Sequence, residues 1–124
     1  METKYVFVYG TLRKGFGNHR LLENSKFVGY GKTKEKYSLY ADGIPYVVKE
    51  PLTQIKGEIY EIDDETLQRL DQLEGHPEFY KREIIDVITE EDKTIKAWIY
   101  FYPYKKGNLI RSGDYKDYRR YKNV

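Results

Sequence analysis

Runs rich in β-branched and aromatic residues recur along this chain, and no regular succession of helices separates them. "KYVFVY" (4–9) is apolar on both faces, as a central strand requires. "FVGYGKTKEKYSLYADG" alternates loosely from Val28 to Tyr40 and ends on a D-G turn signal. "IPYVVK" reads as a further strand, broken by Pro51. "IKGEIYEI" alternates, with Ile55, Gly57 and Ile59 on the opposite phase from Tyr60 and Ile62. "YKREIIDVITEEDKTIKAWIYFYPY" reads as a hairpin around the acidic turn "EEDK". Two segments are helical. Asn18 is placed to cap a short helix over "HRLLEN". In "DDETLQRLDQLEG", Asp63 or Asp64 can cap, acids fill the first turn, and Gly75 sits at C′. About six strands and two helices without β-α alternation argue against a doubly wound sheet. The expectation is an α+β fold, a mixed and strongly curled sheet or small barrel with helices around it.

At 124 residues the chain suits one domain, 1–124, with one real core. Its 22 basic and 20 acidic residues nearly cancel, which is not the footprint of a dedicated nucleic-acid binder. The tail "SGDYKDYRRYKNV" interleaves tyrosines with bases and reads as an arm docked on the barrel or partly disordered. Single-stranded nucleic acid is the weaker reading of it. No apolar run approaches the roughly 20 residues of a membrane span. Met1 leads through Glu2, Thr3 and Lys4 into a strand with no signal-peptide pattern, so a soluble cytoplasmic protein is expected. Cysteine is absent and the two histidines, His19 and His76, are far apart, so no metal site is expected.

Glu74 is the first candidate for chemistry. Leu67, Leu70 and Glu74 stand at i, i+3 and i+7, so the carboxylate continues the apolar stripe of its helix. Burial and the negative end of the helix would both raise its pKa towards that of a general base or acid at neutral pH. The bland alternative puts Glu74 on the helix shoulder and Leu73 inward. Asp71, nearer the polar flank, is its competitor and better suited to a structural role. The second candidate is the turn of "VFVYGTLRKG". Gly10 permits unusual backbone angles and close approach, and the amides of Gly10, Thr11 and Leu12 could form a nest for a carboxylate or oxyanion. Taken alone, one glycine after a strand is better explained by a plain strand-to-loop junction. In "EGHPEFYKR", Tyr80 could hydrogen-bond a ligand and Arg82 could pair with an acid on a neighbouring strand, or the two are simply an aromatic and a charge at a strand start; His76 could be a second acid/base but reads better as a half-exposed loop residue.

Taken together, "VFVYGTLRKGFGNHRLL", "GEIYEI" and "LDQLEGHPEFYKR" resemble the gamma-glutamylcyclotransferase-like superfamily, most closely its gamma-glutamylamine cyclotransferase and AIG2-like branch. The resemblance covers roughly residues 5 to 102. It implies a small mixed β-barrel with flanking helices, a catalytic carboxylate at Glu74, and a substrate loop at Tyr9, Gly10, Thr11 and Leu12. The wider superfamily carries Y-G-S-N at that loop; Thr11 and Leu12 place this chain in the shorter branch. The reaction it implies closes 5-oxoproline: the substrate's α-amine attacks its own γ-amide carbonyl and expels an amine. The nucleophile is already tethered, so neither metal nor cofactor is required. The expected partner is a small γ-glutamyl compound. The rival from another class is a binding module that keeps the pocket to sense a small acid, since fold alone does not fix function.

Overall fold

The computed structural model describes residues 3–122, with side chains up to residue 118. In chain order the elements are β1 (Lys4–Val8), a 3₁₀ helix (Gly17–Leu22), β2 (Lys26–Thr33), β3 (Tyr37–Asp42), β4 (Ile44–Thr53), β5 (Lys56–Ile62), α1 (Asp64–Glu74), β6 (Lys81–Thr89), β7 (Thr94–Phe101), β8 (Asn108–Leu109) and α2 (Tyr115–Lys122). Five strands close into a barrel in the order β1-β5-β2-β6-β7. Its neighbours run antiparallel except at the seam, where β1 lies parallel to β7 with Val6 opposite Trp98. Closure leaves these five strands without an exposed edge. The other three form a small sheet in the order β4-β3-β8. The α+β mixed barrel with flanking helices read from the sequence is the fold; the strands number eight among the described residues, five in the barrel and three beside it, where about six were expected.

Alternation along β1 and β5 explains why both are apolar on two faces. Phe7 and Ile59 point into a barrel core that includes Leu39, Ile55, Val87 and Ile99. Val6, Val8, Tyr60 and Ile62 point outward into a second cluster, which Leu22, Leu67 and Leu70 cover. Leu70 is fully buried there, so truncation to alanine would cost about 2–5 kcal/mol. This outer layer fastens α1 to the barrel.

Three local expectations are corrected. Pro51 does not end β4, which runs on to Thr53. The pairing steps from Ser38–Val48 to Tyr37–Thr53, so Pro51 sits in a bulge on an edge strand, where no N–H is needed from it. The apolar alternation from Val28 to Tyr40 belongs to two strands, β2 and β3. Asn18 is not the cap of the 3₁₀ helix; Phe16 is, without a side-chain cap bond. The tail, where it is described, is the docked arm expected of it: it forms α2, with Tyr115 buried and its ring 5.4 Å from that of Phe16. The remaining basic and aromatic side chains of the tail, from Arg119 on, lie outside the described side chains.

Candidate active site

The end of α1 places the carboxylate. Asp63 caps the helix by accepting from the Thr66 amide at 2.8 Å, and Asp64 and Glu65 lie at the positive end of the helix dipole. Gly75 stops the helix at φ 65°, with its N–H shared between the carbonyls of Asp71 and Gln72. The His76 amide adds a bond to Asp71 O at 3.0 Å. Between these ends Leu67 and Leu70 are buried, Leu73 is 40% exposed, and Glu74 is partly buried. The stripe reading therefore describes the helix, and the shoulder reading does not. Burial raises the Glu74 carboxyl from its ordinary 4.5 to about 7.

Opposite it, three carbonyl anchors fix the loop after β1. Gly10 O accepts from the Arg13 amide (3.0 Å), Thr11 O from the Asn18 amide (3.1 Å), and Leu12 O from His19 Nδ1 (2.9 Å). Asn18 Nδ2 also donates to Thr11 Oγ1 at 2.9 Å, which is where its side chain goes instead of capping. In a trans peptide C=O and N–H point to opposite sides. Anchoring the carbonyls of Gly10 and Thr11 thus turns the amides of Thr11 and Leu12 away from those anchors. Among the described residues these two amides meet no protein acceptor. The unusual backbone angle expected of Gly10 is absent, and the structure gives a different reason for a glycine there. It does not sit at positive φ; instead, a Cβ would stand 2.2 Å from Pro45 Cγ.

All six candidates, Tyr9, Gly10, Thr11, Leu12, Glu74 and Tyr80, line one cavity of about 220 Å³, together with Pro45 and Tyr100. That is below the roughly 300–1,000 Å³ of sites for drug-sized ligands, so it suits a small metabolite. Two of its tyrosines are themselves anchored. Tyr9 Oη donates to Tyr100 O at 2.7 Å and Tyr80 Oη to Pro45 O at 2.8 Å. Burial first, and the Glu74 charge among the lesser causes, pushes all three tyrosine hydroxyls upward in pKa, so they stay protonated. Among the described residues lining the cavity, Glu74 is the charged one and no lysine or arginine is present.

The nearby cations are engaged elsewhere. Arg82 forms a two-pronged bond with Asp71 of α1, at 2.8 and 3.1 Å, and not with an acid on a neighbouring strand. Asp71 also accepts from Tyr100 Oη at 2.8 Å, so its carboxylate is held by two side chains. His76 Nδ1 accepts from the Arg82 amide at 3.2 Å. Lys14 lies over the Phe27 ring, 3.5 Å from its centroid. Sequence reasoning missed Glu58, which is wholly buried and binds Arg13 behind the loop. The signal was present: Glu58 shares the phase of Tyr60 and Ile62, so its side chain leaves the barrel on the same outer face, under the cover of the loop.

No helix among the described residues is long and apolar enough to cross a membrane, and no group of three or more His, Asp or Glu there could hold a metal ion.

Residues 6–117 match the profile of the family described as gamma-glutamyl cyclotransferase, AIG2-like. A protein of Methanocaldococcus jannaschii named "Putative gamma-glutamylcyclotransferase" is 58% identical over 118 residues, 94% of this chain and 98% of that one. The human gamma-glutamylaminecyclotransferase is 37% identical over 98 residues, 71% of this chain and 64% of that one. Among solved structures, an AIG2-like protein of Mus musculus superposes with a TM-score of 0.81 at 29% identity, over 92% of this chain and 90% of that one. One from Pyrococcus horikoshii gives 0.78 at 34% identity, over 97% and 96%. The chain belongs to the gamma-glutamyl cyclotransferase, AIG2-like family.

Proposed function

We propose that this chain converts a γ-glutamyl compound to 5-oxoproline and a free amine, with Glu74 moving the protons. The observation that carries this reading is a partly buried carboxylate, the one charged group on a small cavity also lined by Thr11 and Leu12, whose amides meet no protein acceptor among the described residues. The substrate's α-ammonium must lose a proton before its nitrogen can attack the γ-carbonyl. A carboxylate titrating near neutrality takes that proton and is then an acid able to return it to the leaving nitrogen. The C–N bond of the ring forms and the γ-amide C–N bond breaks; the ring nitrogen sheds a second proton as it becomes an amide, the released amine takes one up as its ammonium, and no net proton is consumed. Thr11 and Leu12 supply donors for a substrate oxygen that is negative, whether the α-carboxylate or the developing oxyanion. Because amine and carbonyl belong to one molecule, much of the entropic cost of bringing them together is already met. Tyr9 and Tyr80 shape the wall, their hydroxyls pinned to backbone carbonyls.

The leaving group is read from charge. A γ-glutamyl dipeptide places a carboxylate one carbon from the scissile nitrogen, close to Glu74, and the cavity lining offers no cation to meet it. A γ-glutamylamine places only a methylene there. The favoured substrates are therefore γ-glutamylamines, including the isopeptide of glutamate with a lysine side chain. The test is 5-oxoproline release from γ-glutamyl-ε-lysine and γ-glutamyl-α-alanine, compared by kcat/KM. Faster turnover of the first is expected. Faster turnover of the alanine compound would overturn the preference, and no release from any γ-glutamyl compound would overturn the enzymatic reading.

A further inference from the structure

Behind the loop, on the side away from the cavity, a buried charge network joins three distant stretches of chain. Glu58 of β5 is fully buried and holds three donors: the Lys14 amide at 3.0 Å, Tyr60 Oη at 2.9 Å and Arg13 Nε at 3.4 Å. Arg13, only 3% exposed, extends its other arm to Asp114 Oδ1 at 2.8 Å. That same oxygen accepts from the Lys116 amide at 3.0 Å in the first turn of α2. None of Arg13, Glu58 and Asp114 lines the cavity.

A buried ion pair is poor evidence of stability, because desolvating the charges offsets most of their attraction. What this network does possess is geometric output. Val8 pairs with Glu58 in the β1–β5 register, so the carboxylate rises from the sheet where the loop begins. It grips two consecutive loop residues, Arg13 by side chain and Lys14 by backbone. The Arg13 amide closes the turn on Gly10 O, so a displaced Arg13 drags the peptide planes of Gly10–Leu12 with it. The arginine fork can span two carboxylates at once, which a lysine ammonium cannot do in the same geometry.

We propose that Arg13, Glu58 and Asp114 are positioning residues: they set the orientation of the Thr11 and Leu12 amides from outside the cavity, and through Asp114 they make that orientation depend on the docking of α2. The role assigned to those amides rests on the proposed function above. A second contact supports the coupling, since the Phe16 ring of the loop packs on Tyr115, the residue after Asp114.

The experiment uses the full chain with Arg13→Lys, Asp114→Ala and the double variant. The ¹H–¹⁵N resonances of Thr11 and Leu12 are recorded without ligand, then 5-oxoproline is titrated, and KM and kcat are measured for γ-glutamyl-ε-lysine. Each single variant is expected to shift the Thr11 and Leu12 amides and weaken 5-oxoproline binding by about 10- to 100-fold, the scale of a sub-ångström to ångström misplacement. KM should rise while the pH midpoint attributed to Glu74 stays put, and the double variant should add little to the larger single. Should Asp114→Ala fail to fold, Asp114→Asn, which still caps α2, is expected to give a smaller shift of the same two amides. Folded variants with wild-type Thr11 and Leu12 resonances overturn the proposal. The resonances are read without ligand, so they decide the positioning role even if no γ-glutamyl compound is turned over.

Discussion

Replacing Glu74 by glutamine separates its chemical role from its structural cost. The amide is nearly isosteric with the neutral acid but can neither take nor return a proton, so kcat/KM should fall about 10²-fold or more. Stability should move the other way, and only above about pH 4.5. The carboxyl titrates at 4.5 ordinarily and at about 7 in the folded chain. Below 4.5 it is neutral in both states and costs nothing. As pH rises from 4.5 to 7 the unfolded chain ionises first, so the wild type loses stability, and above 7 the loss levels off. At about 1.36 kcal/mol per tenfold, the whole window amounts to about 3 kcal/mol, a ceiling because the cavity opens to solvent. Glu74→Gln removes this penalty. Its Tm should match the wild type near pH 4 and exceed it by up to roughly 10 °C at pH 8–9. Wild-type kcat/KM should correspondingly decline below about pH 7. Thermal melts of both proteins across pH 4–9 provide the check. A Tm difference that stays flat over that range would mean Glu74 is not desolvated, and the argument for a raised base would fail with it.

Gly10→Ala forces a Cβ onto Pro45, 2.2 Å from its Cγ, so a stability loss of about 1–3 kcal/mol and a drop of about tenfold or more in kcat/KM are expected. Wild-type melting and turnover would show that Pro45 yields freely. Tyr80→Phe strips the buried Pro45 carbonyl of its donor and should cost about 1–3 kcal/mol in denaturant melts; an unchanged midpoint would mean water replaces the hydroxyl.

Much of this was legible in the sequence because local rules agreed. The acidic first turn, Leu67, Leu70 and the glycine at φ 65° all specify α1, and the stripe through them reaches Glu74. What escaped was non-local. Whether Pro51 breaks a strand depends on whether that strand lies at an edge beside a bulge, which only the pairing of β3 and β4 decides. Asn18 looked like a cap because capping is the commonest local use of asparagine, yet the better acceptor was Thr11, seven residues back. Arg13 and Asp114 are 101 residues apart, and no periodicity connects them. The tail was legible as an arm docked through its tyrosines but its partners were not, since Tyr115 meets Phe16 and Gly43 from far along the chain.

The four cations nearest the motifs bear on selectivity through where they are held. Arg13 is bound by Glu58 and Asp114, Arg82 by Asp71 with its guanidinium 4.2 Å from the Trp98 ring centre, Lys14 lies on Phe27, and Lys81 is exposed outside the cavity lining. A cation supplied at the rim should therefore alter the preference for the leaving amine. Leu73 is suited to this, 40% exposed and next to Glu74 on the cavity wall. In Leu73→Lys the ammonium would meet the carboxylate of a γ-glutamyl dipeptide at a solvent-facing position, where such a pair is worth about 0.2–1 kcal/mol. The kcat/KM ratio of γ-glutamyl-α-alanine to γ-glutamyl-ε-lysine should rise about one and a half- to fivefold. The same charge favours ionised Glu74, so the acid limb of the pH profile should move below about pH 7. Salt screens an exposed charge, and both effects should shrink at high ionic strength. A shifted pH limb with an unchanged ratio would place the leaving group away from Leu73. An unchanged limb would place the ammonium beyond reach of Glu74 and remove the electrostatic basis for the preference.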